Sequence, residues 1–313
     1  MEQNFIKMNQ GINNWKRYTS SFFLFMFSMF LGSIIYFLAL IIFAEKDGND
    51  QTYFDFKEMV GVNVRPEFDF IFSNLTYVIW ILGMALFIKL IHKRKLKTLI
   101  TPNEKINWKR VFWGFGLFFC LLTVTTIVDA LFNPQDYSLN NIQVQDFLFL
   151  FLFVLILTPI QTTAEEVFFR GYLMQWFGRK VSHPLVLSII VGSIFGALHF
   201  SNPEMNYSAF FVGSDYVLSG ILWCYITART NSAELTIGAH AANNMFIGWF
   251  LTMDDSVFGK LPSLFVIDNI NPKTTLLWTV ISLSVFTYYS IKNFDNKKTI
   301  NDELEQDIHS SFK

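Results

Sequence analysis

Long apolar runs recur along the whole chain, and they constrain its fold more than any other feature. One of them, residues 147–157, contains only Phe, Leu, Val and Ile. Runs of about 18 or more apolar residues, ended by charged or turn residues, are typical of membrane-spanning helices. Only 16% of the residues are charged, against roughly 25% in an average soluble domain. The sequence therefore predicts an all-α, polytopic transmembrane helical bundle that forms one structural unit.

About eight spans are predicted from these runs. Their approximate ranges are 21–44, 69–91, 111–132, 145–162, 185–200, 210–228, 233–252 and 275–291. The chain then divides into a tail at residues 1–20, a bundle at residues 21–291 and a second tail at residues 292–313. An amphipathic stretch at residues 167–177 follows the fourth span and is expected to form a separate interfacial or buried helix.

The loops alternate in charge along the chain. The most basic one carries Lys93, Arg94, Lys95, Lys97, Lys105, Lys109 and Arg110, whereas the loops on either side of it are acidic or carry no basic residue. Because Lys and Arg favour the cytoplasmic side, both termini are expected to be cytoplasmic. Frequent Phe, Ile, Asn and Lys fit an AT-rich bacterial genome, so a multi-pass protein of the bacterial plasma membrane is predicted.

Charge and cysteine content exclude other classes of protein. The net charge is -1 and no basic domain is available, so no nucleic acid partner is expected. Cys120 and Cys224 each lie inside an apolar run, which indicates no disulfide framework. Membrane lipids are expected partners, and the oligomeric state stays open.

Two adjacent glutamates and an arginine interrupt this apolar sequence. Ionisable groups at membrane depth are costly, so Glu165, Glu166 and Arg170 indicate a functional site. Glu166 and Arg170 are four residues apart and share a helix face, which predicts an ion pair between them. Glu165 points about 100° around the helix and is the freer carboxylate, so it is the candidate general base.

Two of the five histidines lie within or at the end of apolar helices. A single histidine there is more often an interior residue held by a hydrogen bond, but His199 and His240 accompany the double glutamate. His240 and Asn244 share a helix face, whereas Asn243 is expected to point elsewhere and to bond a neighbouring helix. Carboxylate, imidazole and amide groups together could activate water and stabilise an oxyanion. The other histidines have ordinary explanations in a loop, a turn and a tail: His92, His183 and His309.

The same groups do not decide whether the protein binds a metal cofactor. Glu165, His199 and His240 could ligate a catalytic zinc ion with one position left for water. The helical signature of two histidines four apart around a glutamate is absent, however. No cofactor is therefore required by the sequence, and a divalent metal such as zinc stays an open alternative.

Three motifs follow one another on apolar helices: Glu165-Glu166-x-x-x-Arg170, Phe195-x-x-x-His199 and His240-x-x-x-Asn244. They resemble the motifs of the CPBP family of intramembrane proteases, which includes type II CAAX prenyl endopeptidases and bacteriocin self-immunity (Abi) proteins. The resemblance covers roughly residues 145–252. It implies that Glu165 and His199 activate water, that Glu166 and Arg170 support them, and that His240 and Asn244 bind the oxyanion or assist. The family is commonly called a metalloprotease, although a metal-free glutamate mechanism has also been proposed for it.

An intramembrane endopeptidase is therefore the leading function, with two alternatives. One is a non-catalytic bacteriocin-immunity or peptide-binding membrane protein. The other is a small-solute or ion transporter, against which the lack of an internal repeat argues.

A straight-helix topology conflicts with a shared site. It places Glu165 near the inner end of the fourth span and His199 near the outer end of the fifth, roughly 20 Å apart at 1.5 Å per residue. The expected resolution is a fourth helix, interrupted at Pro159, that is tilted or broken and buries Glu165 within the bundle. Gly192 and Gly196 are expected to let another helix approach the fifth span closely.

Overall fold

The computed structural model describes residues 4–55, 60–256 and 261–295, and long helices make up most of them. Six helical segments in this part of the chain are long and apolar enough to cross a membrane. The prediction of an all-α, polytopic membrane protein is confirmed. The helices are α1 (Trp15–Lys46), α2 (Pro66–Phe87), α3 (Trp108–Phe132), α4 (Val144–Glu166), α5 (Met174–Phe177), α6 (Pro184–Leu198), α7 (Met205–Thr230), α8 (Glu234–Phe250) and α9 (Pro272–Phe294).

The fourth span is longer than the sequence indicated. α4 continues through a π-helical segment, Val167–Leu173, directly into α5, so that 34 residues from Val144 to Phe177 form one helical rod. Every residue of the π-helical segment is buried. The expectation of a span ending at residue 162 is wrong, because residues 167–177 continue it, and of the two predicted settings for that stretch the structure shows the buried one. The charges there lie inside the bundle with partners, so they do not end the span.

Pro159 does not break this rod. It lies inside α4, which continues to Glu166 without a non-helical residue. A proline removes one backbone hydrogen bond, and neighbouring hydroxyl groups can satisfy the freed carbonyls of a membrane helix. Here the single bond lost is the one to the Leu155 carbonyl, four residues earlier, and the Thr162 hydroxyl adds a bond to the Thr158 carbonyl at 3.0 Å in the same part of the helix. The predicted interruption at Pro159 is therefore wrong, whereas the predicted burial of Glu165 is confirmed at 9% exposure.

Glycines allow two pairs of helices to approach closely. A Cβ atom on Gly192 of α6 would lie 2.3 Å from the Ile221 backbone nitrogen of α7, and one on Gly196 would meet Val217. Likewise, a Cβ atom on Gly238 of α8 would lie 2.0 Å from a backbone oxygen of α3. The predicted close approach at Gly192 and Gly196 is confirmed, and these contacts fix α6 and α8 beside their neighbours.

One end of the bundle carries the N-terminal segment and the basic loop. The Ile12 amide donates to the His92 carbonyl at 2.8 Å, and the Phe5 amide donates to Asn231 Oδ1 at 2.7 Å. Phe5 is fully buried, so this segment is packed against the bundle before α1 begins. α9 ends at the same place, where Arg229 pairs with Asp295. Residues 296–313 of the predicted C-terminal tail lie outside the described residues.

Short strands lie at the opposite end. Strands β1 (Tyr53–Asp55) and β2 (Val60–Val62) form an antiparallel pair between α1 and α2. In a second sheet, β5 (Phe265–Ile267) lies between β3 (Tyr137–Leu139), to which it is antiparallel, and β4 (Leu251–Thr252), to which it is parallel. This second sheet joins the ends of α3 and α8 beside the start of α9.

Candidate active site

Glu165 and His199 lie at similar depths once the helices are measured from one end. Glu165 precedes Phe177 by 12 residues, or roughly 18 Å of helix, and His199 follows Pro184 by 15 residues, or roughly 22 Å. A six-residue connection joins Phe177 to the start of α6, so both distances begin at the same end of the bundle. The straight-helix topology placed Glu165 and His199 far apart because it ended the fourth span too early.

Glu166 and Arg170 form the predicted ion pair. Arg170 Nη1 lies 3.0 Å from Glu166 Oε1, and neither side chain is exposed to solvent. The guanidinium carbon lies 4.3 Å from the ring centre of Phe195 and 5.3 Å from that of Trp223. Aromatic faces attract a desolvated cation, so these rings help to keep the charge inside the bundle. The pair therefore supplies a fixed, ionised carboxylate beneath the cavity.

His240 of α8 bridges the two glutamates. Its Nδ1 lies 2.9 Å from Glu166 Oε1, and its Nε2 lies 3.8 Å from Glu165 Oε2. Because Arg170 keeps Glu166 as an acceptor, the neutral imidazole donates from Nδ1 and leaves the Nε2 lone pair directed towards Glu165. The ring packs on Trp223 at 4.8 Å between centroids. Glu166 thus sets both the tautomer and the orientation of His240.

His199 is fixed by the end of its own helix. It follows the last residue of α6, and its Nδ1 donates to the Phe195 carbonyl at 2.7 Å. A carbonyl can only accept, so the proton is on Nδ1 and Nε2 carries a lone pair. The ring stacks between Phe195 and Tyr216, each 4.4 Å away between centroids. The hydrogen bond and the two rings therefore fix the orientation of His199.

A cavity of about 540 Å³ brings these groups together. Glu165, His199, His240 and Asn244 all line it, whereas Glu166 and Arg170 lie behind its wall. Asn243 also lines the cavity, and its amide nitrogen donates to Asn244 Oδ1 at 3.0 Å. The expectation that Asn243 points away is therefore wrong, because the cavity reaches two adjacent positions of α8.

Three lining residues near Glu165 were missed in the sequence. Tyr77 of α2 lines the cavity beside Glu165, and Tyr216 of α7 stacks on His199. Both are aromatic residues in aromatic-rich spans, and no local pattern singles them out. Gln161 also lines the cavity, and it precedes Glu165 by four residues on the same helix face. Helical spacing alone would have found it.

The geometry of these groups also bears on a metal site. Both histidines direct a lone pair from Nε2 and donate from Nδ1 to an oxygen, as metal-binding histidines do. Among the described residues, however, no three His, Cys, Asp or Glu side chains converge closely enough to hold an ion. The zinc set of Glu165, His199 and His240 does not fit this arrangement. Cys120 and Cys224 are both free thiols, as expected from the sequence.

Comparison with known proteins shows the family of this chain. A model described as "Type II CAAX prenyl endopeptidase Rce1-like" matches residues 144–246, which contain all three motifs. The uncharacterized protein YyaK of Bacillus subtilis is 40% identical over 282 residues, which cover 90% of this chain and 93% of YyaK. The chain belongs to the Rce1-like family. No solved structure matches it significantly.

Membership in the Rce1-like family decides the class of protein. The family is one of CAAX-type membrane proteases, and the predicted recognition of the type II CAAX endopeptidases is confirmed. Together with the apolar helices, it identifies a multi-pass membrane protein. The matched region begins at the first residue of α4 and ends within α8, so the family model covers the helices that carry the three motifs.

Proposed function

We propose that this protein is an intramembrane endopeptidase that hydrolyses a peptide bond in a hydrophobic or membrane-associated peptide. The observation that carries the proposal is the bridge from His240 to both glutamates, which holds Glu165 at the wall of a cavity shared with His199. A cavity lined by a carboxylate and two neutral imidazoles has the groups needed for general base catalysis.

In the proposed reaction, Glu165 removes a proton from a water molecule that His199 Nε2 orients. The water oxygen attacks the carbonyl carbon of the peptide, and a tetrahedral intermediate with a negative oxygen forms. The amides of Asn243 and Asn244, which line the same cavity, donate to that oxygen. Glu165 then gives its proton to the departing amide nitrogen, and the carbon–nitrogen bond breaks. No step requires a metal ion.

Glu166 and Arg170 act as positioning residues in this mechanism. Both are fully buried and neither lines the cavity. The ionised Glu166 holds the His240 ring so that Nε2 faces Glu165. Once Glu165 has taken the proton of the water, its carboxylic acid faces the Nε2 lone pair of His240, which can accept from it and keep the acid in place until the proton is transferred.

We further propose a location in a bacterial plasma membrane, with both termini in the cytoplasm. The N-terminal segment, the basic loop after α2 and the end of α9 lie together at one end of the bundle, which supports this orientation. The cavity then has its charged groups within the thickness of the membrane. A peptide or lipidated protein is the proposed partner, and a lipidated CAAX protein is less suited to a bacterium than a signalling peptide or a bacteriocin.

The test compares cells that carry the wild type, Glu165→Gln or His199→Ala, with His183→Ala as a matched control. His183 lies in an exposed turn before α6 and does not line the cavity. Mass spectrometry of membrane and secreted peptides is expected to show the same uncut peptide in cells with Glu165→Gln or His199→Ala. It should be absent from cells with the wild type or His183→Ala. If both variants process every peptide as the wild type does, the protease proposal is wrong. Peptide capture without cleavage by the wild type would favour the immunity or binding alternative.

A further inference from the structure

Among the described residues, acidic side chains outnumber basic ones along the wall of the cavity. Five carboxyl groups line it, and among the described residues no lysine or arginine does so. Lys273 does not line it, and its ammonium lies 5.7 Å from the ring centre of the lining residue Phe211. The acids are Asp129, Asp136, Glu165, Glu204 and Asp215.

Two of these acids are partly buried and are held by neutral groups. Asp215 of α7 accepts from the Thr279 hydroxyl at 2.8 Å and from Ser219 at 3.4 Å. Asp129 of α3 accepts from Trp278 Nε1 at 2.8 Å and from the Tyr137 hydroxyl at 2.6 Å. Neither aspartate forms an ion pair with a described residue. An ionised carboxylate in an apolar region is costly without a cation, so a ligand that supplies one would stabilise both.

A separate buried group also lacks a donor. Asn74 of α2 is 4% exposed and lines the cavity, and its Oδ1 has no hydrogen-bond partner among the described residues. Its amide nitrogen is already used, since it donates to the Phe70 carbonyl at 2.8 Å. A buried acceptor without a donor is unfavourable. The wall of the cavity therefore offers acceptors and carboxylates to a ligand rich in donors.

We propose that the cavity selects a peptide with a positively charged side chain, Lys or Arg, close to the bond that is cut. This inference rests on the proposed endopeptidase function and adds the class of substrate. The cation would lie between Asp215 and Asp129, while Glu165 faces the scissile bond. Clefts lined by charges of one sign between apolar walls concentrate counter-charged ligands, which raises both association rate and selectivity.

The same lining gives the direction of entry. Asp136, Tyr137 and Asn271 line the cavity at the end of the bundle that carries the second sheet and the start of α9. The N-terminal segment and the basic loop occupy the other end. A cationic segment would thus approach through an acidic mouth and reach Glu165 without passing the basic loop.

The experiment measures binding separately from cleavage. Purified Glu165→Gln protein in nanodiscs is titrated with fluorescent dodecapeptides of Leu and Ala that differ only in one central residue, Lys, norleucine or Glu. All three are acetylated, and a fourth peptide with norleucine and a free amino terminus tests whether an α-amine can replace the side chain. Asp215→Asn combined with Asp129→Asn removes the proposed cation site. Asp69→Asn is the matched control, because Asp69 accepts from Tyr36 outside the cavity.

We expect the Lys peptide to bind about tenfold or more tightly than the norleucine peptide at low salt, and the Glu peptide to bind most weakly. The double aspartate variant should lose most of this difference, whereas Asp69→Asn should keep it. Equal binding of Lys and norleucine peptides, no binding of the Lys peptide, or an unchanged preference in the double variant would overturn the inference. A preference for Lys without cleavage by the wild type would support the inference while the endopeptidase proposal fails.

Discussion

Replacing Arg170 with methionine tests the electrostatic core of the site. The change keeps an unbranched apolar side chain among Phe195 and Trp223 but removes the cation 3.0 Å from Glu166 Oε1. Both partners are fully buried, so Glu166 would keep its charge without its ion-pair partner. Breaking a buried pair on one side costs about 3–5 kcal/mol of unfolding free energy.

That loss is measurable as a shift in thermal stability. At roughly 2–4 °C per kcal/mol for a large domain, the midpoint of unfolding should fall by about 6–20 °C. Tryptophan fluorescence of the protein in detergent, heated at one fixed rate, reports it. The double variant Glu166→Gln with Arg170→Met contains no unpaired charge, and the amide oxygen can still accept from His240. It should regain half or more of the lost stability.

The exposed pair of Arg65 and Asp146 is the matched control. Its atoms are 2.8 Å apart, but the side chains are 54% and 36% exposed. Asp146→Asn, which leaves the contact of Arg65 with the buried Glu67 in place, should therefore cost about 1 kcal/mol or less. If Arg170→Met is as mild as this control, or if adding Glu166→Gln restores nothing, the buried pair does not stabilise the site.

Three further changes test the packing and the chemistry. Gly171→Ala should destabilise the protein by about 1–3 kcal/mol, because its Cβ would lie 2.2 Å from the Leu99 carbonyl oxygen. The control Gly116→Ala should not destabilise it, because a Cβ there has no neighbour within 4 Å. Equal unfolding midpoints of the two variants would contradict the predicted clash. Tyr77→Phe removes a hydroxyl beside Glu165 and should lower kcat for peptide cleavage by roughly tenfold or more with little change in KM. A chelator should leave cleavage unchanged, and a loss that zinc reverses would contradict the metal-free mechanism.

Local spacing allowed much of the site to be predicted from the sequence. An acid and a base four residues apart on one helix must lie close together, and Glu166 and Arg170 do. Small residues at Gly192 and Gly196 indicated a close helix contact for the same reason, since the missing side chains are visible in the sequence. Features that depend on a single helix could thus be predicted from residue spacing alone.

Features that depend on several helices could not be predicted in this way. The fourth span was ended at residue 162 because Glu165, Glu166 and Arg170 are charged. Their charges are compatible with the interior only because His240 and the rings of Phe195 and Trp223 surround them. Tyr77 was missed because it comes from α2, far away in the sequence. The placement of Asn243 was misjudged because neighbouring helices decide which positions of α8 line the cavity.

The sequence by itself determined the environment and the chemical inventory of this protein. Apolar runs require helices in a membrane, since backbone groups there can be satisfied only within the segment. The motifs supply a double glutamate, an arginine and two histidines in a fixed order. Only the tertiary structure decided their depth and their roles. Packing of α4, α6 and α8 puts Glu165, His199 and His240 on one cavity and leaves Glu166 and Arg170 behind its wall. This division depends on contacts between distant helices, which no local pattern encodes.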